Sequence, residues 1–506
     1  MAPQTKKRKV EAVKTNLHQI GDDCMVNIFS YLSNFEPFEL MTTCKQFRSG
    51  VEQLHTLTLG SLVLSSPGEE EEFEESEFES EELDEDIRNK FNGWLNSNRN
   101  CEQFRIIKII NGINAKEAKT LMENCPKVIE LSFPVSGKLT IPKFSELKKL
   151  VIEGRQASFE FSCEIPTLKS LTLHSPIKSC QEIVNNFPNL EELQITFSGS
   201  DLSPLKSLTN LKSLYIATVS STKKSLKADQ IYETMSIPTL ETFKLNMHGP
   251  TSLCIPFIKR KVSCPQLKTL EICNNEYFMD VEEEVPEEED FDRLICEFVK
   301  SDFPKLESIR LKFSSTMQSL DALLKNESIS NIKSLVLIDI SHECFKQVCS
   351  NPSWKGLTEL ECKIDMGIDE ESSVFKLLAE SQFENLKSFK INYQEFNHSE
   401  IGFKEFCASD KFTKLEHLHL GFQIESKDNL LLPKSTHFPN LKSLYIMYLQ
   451  GKVKSFLTTL GKNESFGRLE EFTIGMYVEA TELQKLKKSL KRLTRVKSEE
   501  NEDDDE

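Results

Sequence analysis

Chemistry in this chain would have to come from its histidines, cysteines or carboxylates, and their spacing sets what each could do. His417 and His419 are two residues apart, so a strand would place both imidazoles on one side. Two histidines at that spacing need a third ligand to hold a metal ion, none is identifiable, and no metal site is expected. The 14 cysteines are scattered singly from Cys24 to Cys407, without a C-x-x-C pair. Cys344 and Cys349, the closest two, fall on an expected helix, and Cys362 occupies an apolar repeat position, which reads as burial of small hydrophobes. No G-x-x-x-x-G-K-[ST], G-x-S-x-G or H-E-x-x-H run occurs. No cofactor and no catalytic residue are therefore expected, and the chain reads as a non-enzyme.

Recognition is what the remaining polar residues can do, and a repeated phrase positions them. It is cleanest at FPNLKSLYI, Phe438 to Ile446, where Leu441, Leu444 and Ile446 form the frame Leu-x-x-Leu-x-Leu. Frames begin at Phe104, Val128, Leu147, Leu168, Leu190, Leu211, Leu240, Leu267, Leu306, Ile332, Leu357, Leu386, Leu415, Leu441 and Leu469. A strand sends the last two apolar residues of a frame to one side and the residue between them to the other. Taken along the chain, those intervening residues are Lys108, Glu130, Val151, Thr172, Gln194, Tyr215, Lys244, Glu271, Arg310, Val336, Glu361, Lys390, His419, Tyr445 and Thr473. Tyr215, Lys244, Arg310, Lys390, His419 and Tyr445 are the aromatic and cationic members, the types that anchor protein interfaces. A nucleic-acid track would need sustained Lys and Arg with interleaved aromatics, so no nucleic-acid partner is expected.

Most frames lie 19 to 29 residues apart. Period and pattern resemble leucine-rich repeats, in which stacked copies share one continuous core. The expected fold is α/β: a leucine-rich-repeat solenoid, with parallel strands on a concave face and helices or turns on the convex one. Fifteen strands about 4.8 Å apart would run for roughly 70 Å, which suits a macromolecular partner. Between Val128 and Leu211 the frames are too close for full helices, and short turns or irregular segments are expected outside. Later copies carry helical faces at Leu294/Ile295/Phe298/Val299, Leu320/Leu323/Leu324, Val374/Phe375/Leu378 and Val453/Phe456/Leu457/Leu460.

The formal charge of −17 over 506 residues is concentrated in segments. Residues 69–86 hold 13 acids, 280–292 hold 9 and 499–506 hold 7, and without them the rest would carry +12. The domain organisation that follows is a basic disordered tail over 1–15, a helical module over 16–50 and a degenerate first strand or connection over 51–68, with Leu54, Leu57 and Leu59. Then come an acidic disordered linker over 69–86, the solenoid over 87–480 with an acidic loop at 280–292, a basic amphipathic capping helix over 481–497 and an acidic tail over 498–506. Ser76 and Ser80 stand before acids, a context for acid-directed phosphorylation, although a solvated spacer is the plainer reading. No signal peptide and no long apolar run is evident, so no membrane partner is expected. Lys6, Lys7, Arg8 and Lys9 resemble a nuclear import signal, which leads to an expectation of nucleus and cytoplasm.

Residues 16–50 differ in kind from the rest. Asp22 and Asp23 can cap a helix carrying Met25, Ile28, Phe29 and Leu32 on one face, and Pro37 can open a second with Phe38, Leu40, Met41, Cys44 and Phe47. Helices this short bury too little to stand alone and want a partner or the first repeat to cover. The stretch IGDDCMVNIFSYLSNFEPFELMTTCKQF resembles an F-box. Ile20 and Gly21 stand where that family usually has Leu-Pro, Ile28-Phe29 and Tyr31-Leu32 match its central core, and Cys44-Lys45 with Phe47 match its ending. The departures are Gly21 for proline, Glu36-Pro37 for Asp-Leu and Thr43 for valine.

An F-box ahead of leucine-rich repeats resembles the leucine-rich branch of that family, the substrate receptors of SCF-type ubiquitin ligases. The resemblance implies docking on the Skp adaptor, and through it the cullin scaffold, by Ile20, Gly21, Met25, Ile28, Phe29, Leu32, Cys44 and Phe47. It implies a target protein held by the concave residues Tyr215, Lys244, Arg310, Lys390, His419 and Tyr445. The alternative is a nuclear leucine-rich-repeat scaffold or acidic chaperone without a ligase role.

Overall fold

The structure is a computed structural model that describes residues 56–59, 105–109, 113–154, 157–199, 201–218, 226–227, 231, 234–247, 253–254, 264–274, 302–315, 317–365, 374–393 and 402–498. Two compact units divide the chain, residues 1–197 and 198–506, and each is described by itself.

In the first unit, β1 (Thr56–Leu59), β2 (Ile106–Ile109), β3 (Ile113–Asn114), α1 (Ala115–Asn124), β4 (Glu130–Ser136), β5 (Lys138–Ile141), β6 (Lys149–Glu153), β7 (Ser158–Phe161), β8 (Ser170–Ile177), α2 (Gln181–Asn186) and β9 (Glu192–Phe197) follow in order. The parallel sheet runs β1-β2-β4-β6-β8-β9. A capping box starts α1: Asn114 Oδ1 accepts from the Lys116 and Glu117 amides, and Glu117 accepts from the Asn114 amide. Strands β5 and β7 pair with each other in parallel away from the main sheet. Strands therefore occupy part of the outside where turns were expected. Extended chain advances about 3.3 Å per residue against 1.5 Å for a helix, so a short repeat can cross back as a four-residue strand.

In the second unit, β10 (Ser213–Thr218), β11 (Leu226–Lys227), β12 (Thr242–Met247), β13 (Leu253–Cys254), β14 (Thr269–Asn274), β15 (Ser308–Ser315), α3 (Met317–Leu324), β16 (Ser334–Ser341), α4 (His342–Ser350), β17 (Glu359–Asp365) and α5 (Val374–Glu380) come first. They are followed by β18 (Ser388–Tyr393), α6 (Phe403–Ala408), β19 (His417–Ile424), α7 (Leu431–Lys434), β20 (Ser443–Leu449), α8 (Val453–Lys462), β21 (Glu471–Ile474), α9 (Ala480–Ser489) and β22 (Arg495–Ser498). Its parallel sheet runs β10-β12-β14-β15-β16-β17-β18-β19-β20-β21-β22. A parallel sheet in repeat order with helices returning outside is the leucine-rich-repeat solenoid fold.

All fifteen frames carry a strand, and their apolar positions among the described residues are the core: Leu441, Leu444 and Ile446 are at most 1 % exposed. Among the described residues, each frame also has a further buried anchor three residues ahead of it. Phe187 holds that place in the first unit, and Phe303, Trp354, Phe383, Phe412, Phe438 and Phe466 hold it in the second, all fully or almost fully buried. The first frame amide bonds back to the anchor's carbonyl, as Leu441 N does to Phe438 O at 3.2 Å, so the chain turns sharply into the strand.

Polar groups at that turn bind neighbouring repeats together. In the second unit, Lys212, Glu241, Lys268, Glu307, Lys333, Thr358, Lys387, Glu416, Lys442 and Glu470 follow the first frame residue of successive copies. Ion pairs join Lys268 to Glu241 at 2.7 Å, Lys333 to Glu307 at 2.9 Å and Lys442 to Glu416 at 2.5 Å. One residue ahead of the frame, Asn385 and Asn440 donate to the Lys355 and Thr413 carbonyls of the preceding repeat, and in the first unit Asn189 donates to Pro166. These carboxamides satisfy turn carbonyls that no strand pairs.

Two expectations change. Glu130 is not in the intervening row: Lys108, Ser132 and Val151 are in register, and Glu130 lies two residues earlier on the same face, opposite Ile106 and Lys149. The frame Val128/Leu131/Phe133 brackets Ser132. The helix expected over 481–497 ends at Ser489, with Leu486 buried, and β22 follows, pairing with β21. Leu490, Leu493 and Val496 fit a helix face and a repeat phrase equally in sequence. The strand prevails because it pairs the backbone of β21 that would otherwise be an open edge. The import cluster Lys6 to Lys9, the segment 16–50 with all eight expected adaptor residues, the acidic stretches 69–86, 280–292 and 499–506, and the helical face 294–299 lie outside the described residues.

Candidate interaction surface

Strand alternation leaves one side of each sheet free of the apolar core, and the intervening residues stand there in register. In the second unit, Tyr215, Lys244, Glu271, Arg310, Val336, Glu361, Lys390, His419, Tyr445, Thr473 and Lys497 are successive partners across eleven strands. All six residues expected from sequence to meet a target are in this row, partly exposed. In the first unit the corresponding row is Thr58, Lys108, Ser132, Val151, Thr172 and Gln194.

A second row, two residues further along each strand, shapes the first, and the sequence reading passed over it. Period two alone would have found it, since Asn246, Cys273, Lys312, Ile338, Asn392 and Gly421 share the face. Glu271 is the clearest product of both rows. Its carboxylate contacts Lys244 Nζ at 3.1 Å and Lys312 Nζ at 3.4 Å, and Cys273 Sγ lies 3.6 Å away as a donor. Burial by itself pushes the Glu271 pKa up, but Lys244, Lys312 and Arg310 outweigh it and leave the carboxyl below its usual range. Burial, then the Glu271 charge, pushes the Cys273 thiol up to about 12, so it stays protonated and unreactive.

Further along, Lys390 pairs with Glu361 at 2.9 Å. Next to it, His419 stacks on Tyr445 with ring centroids 4.0 Å apart and planes 3° from parallel, while His419 Nε2 and Asn392 Oδ1 are 3.1 Å apart. Burial, with the Lys390 charge behind it, lowers the His419 pKa to about 4, so the imidazole is neutral at neutral pH. Two glycines make room for this cluster. A Cβ at Gly421 would stand 1.9 Å from Asn392 Oδ1, and one at Gly475 would be 2.8 Å from Met447 O and 3.1 Å from the Tyr445 hydroxyl. At the other end of the row, Asn246 Nδ2 donates to the Tyr215 hydroxyl at 3.2 Å, and Asn246 Oδ1 is buried with no hydrogen-bond partner among the described residues.

His417 is exposed beside His419, and no group of three or more metal-binding side chains exists among the described residues. No described helix is long and apolar enough to cross a membrane. The arrangement offers a rigid, mixed surface: fixed charges in the middle, an aromatic platform to one side and a row of hydroxyls along one margin, from Ser213 to Ser334.

No protein family matches the chain, and no curated protein does. Among solved structures it is similar to an internalin from Listeria monocytogenes str. 4b F2365, at 12 % identity and a TM-score of 0.31, over 77 % of this chain and 95 % of that one. It is also similar to a chain of the yeast Rad7 and Elc1 complex, at 15 % identity and a TM-score of 0.31, over 60 % of this chain and 75 % of that one.

Proposed function

We propose that this protein is a non-catalytic substrate receptor of an SCF-type ubiquitin ligase, holding the Skp adaptor through residues 16–50 and a target protein on the strand face of its repeats. The observation that supports target binding is the unbroken register of Tyr215, Lys244, Arg310, Lys390, His419 and Tyr445 on one open face. A row of fixed, partly buried charges and stacked rings is preorganised, so little ordering entropy is lost when a partner docks. The ligase half of the reading rests on the F-box resemblance of Ile28, Phe29 and Leu32. The mechanism is proximity: a target on the repeats is held near the ubiquitin-charged enzyme, and transfer becomes effectively intramolecular.

Co-purification with the adaptor tests it. The full chain is expected to retain the adaptor and an Ile28→Lys, Phe29→Asp double variant to lose it. Undiminished adaptor binding by the variant sinks the ligase reading and leaves a leucine-rich-repeat scaffold.

A further inference from the structure

We infer that the middle of the open face in the second unit, from β12 to β18, docks an extended acidic segment of a partner protein with an apolar residue between its acids. The inference rests on the strand face being the target surface, and it specifies the chemistry of the target there.

A count of charges conceals what this region presents. Lys244, Arg310, Lys312, Lys363 and Lys390 stand against Glu271 and Glu361, which lie deeper than the lysines they pair with, while a third carboxylate, Glu359, is exposed on the hydroxyl margin of the same face. The side chains of Lys244, Lys312 and Lys390 are 44 %, 39 % and 40 % exposed, and those of Glu271 and Glu361 only 11 % and 30 %. Each carboxylate is a foot that holds ammonium groups above it, and Glu271 keeps its charge because those cations lower its pKa. Arg310 forms no hydrogen bond or ion pair among the described residues, so its fork of donors is available for a carboxylate. Outside its three acidic segments the chain carries +12, and a cationic face complements an acidic partner.

Between the cations lies an apolar strip one strand wide. Val336, in register with Arg310 on one side and Glu361 on the other, is buried at 3 % and forms the floor, and the accessible apolar side chain is Ile338 above it, partly exposed and in register with Lys312. The strip separates this face from a general polyanion surface, because a phosphate backbone has nothing to place there. From Arg310 on β15 to Lys390 on β18 is three strand spacings, about 14 Å. An extended peptide crossing the strands covers that in about four residues at roughly 3.3 Å each and turns alternate side chains to the sheet. The matching motif is acid, apolar and acid at positions i, i+2 and i+4.

The test is fluorescence anisotropy of the full chain with a labelled peptide containing Glu-Ser-Leu-Ser-Glu. Controls are the same peptide with Leu replaced by Ser, the same with both Glu replaced by Lys, and a single-stranded DNA. The wild type is expected to bind the acidic peptide at least tenfold more tightly than the Lys peptide, and at least fivefold more tightly than the Ser peptide. A Lys312→Glu, Lys390→Glu variant is expected to lose at least tenfold for the acidic peptide and to gain affinity for the Lys peptide, a gain that an unfolded chain would not show. Acidic-peptide binding that is absent in the wild type or unchanged in the variant overturns the inference. So does equal binding of the Ser peptide and the DNA, which would make the face a polyanion surface. Adaptor retention through Ile28 and Phe29 does not involve these cations, so a chain that holds the adaptor and ignores the acidic peptide fails here alone.

Discussion

The imidazole of His419 lies flat against the phenol ring of Tyr445, with 4.0 Å between centroids, and Asn392 holds its outer nitrogen. Ring stacking and a hydrogen bond from the side fix the position of this histidine, and burial with the Lys390 charge fixes its charge state. NMR titration is expected to give His419 a pKa near 4 against the usual 6.5. Lys390→Met removes a cation that lowers it, and the value should rise. Because the folded value is the lower one, His419 contributes stability that is complete above about 6.5 and lost as pH falls toward about 4. A melting-temperature profile of His419→Gln should be flatter than wild type across that window.

Gly421 is where the platform is most easily broken. A methyl group there would meet Asn392 Oδ1, with the Ile391 carbonyl 3.0 Å away, so Gly421→Ala must displace the carboxamide from His419. Overpacking of this kind costs about 1–3 kcal/mol. Urea denaturation reads the loss, and the His419 resonance should shift in the same variant while Gly356→Ala, whose Cβ would meet nothing within 4 Å, leaves it in place.

Glu271 makes a different prediction, since its charge supports two lysines. Its folded pKa is depressed, so its contribution is present above the ordinary carboxylate range near 4.3 and disappears as pH falls through the lower folded value. Glu271→Gln should cost about 1–3 kcal/mol at neutral pH and very little once the wild-type carboxyl is protonated. Paired denaturation curves at pH 7 and pH 3 check the sign.

The turn anchors carry as much of the core as the frame leucines. Phe438 is fully buried, with its ring 5.5 Å from Phe406, and Phe438→Ala is expected to destabilise by about 3–5 kcal/mol. Leu441→Ala, within the frame itself, should cost about 2–5 kcal/mol in the same chemical denaturation series. An effect below 1 kcal/mol for Phe438→Ala would show that the turn is held by its backbone bonds and not by the ring.

The repeat was legible because each strand's fate depends only on its own frame and its immediate neighbours. Leu441, Leu444 and Ile446 could be assigned to the core, and Tyr445 to the opposite face, without any long-range information. The helices at Val374, Phe375 and Leu378 and at Val453 to Leu460 were legible for the same reason. What escaped needed knowledge of competing partners. Leu490, Leu493 and Val496 satisfy two periods, and only the vacant edge of β21 decides between them. Strands β5 and β7 escaped because four residues are too few for a pattern. Phe438 was written in the most regular phrase of all, yet its role as a turn anchor shows only when Phe303, Phe383, Phe412 and Phe466 are seen in the same place. The partners of Lys390 and His419 depend on residues 29 and 27 positions earlier, a distance at which sequence spacing says nothing about contact.

The alternation of Lys212, Glu241, Lys268, Glu307 and Lys333, and of Lys387, Glu416, Lys442 and Glu470, gives the second unit a parity. Excising the one repeat from Leu415 to Asn440 would bring Lys387 beside Lys442, like charges on neighbouring turns. Excising two in succession would restore opposite signs. On either side of the neutral Thr358, the array can therefore be shortened or lengthened without like charges at its seam only by pairs of repeats, so there the unit of exchange is the dimer of copies and not the single phrase.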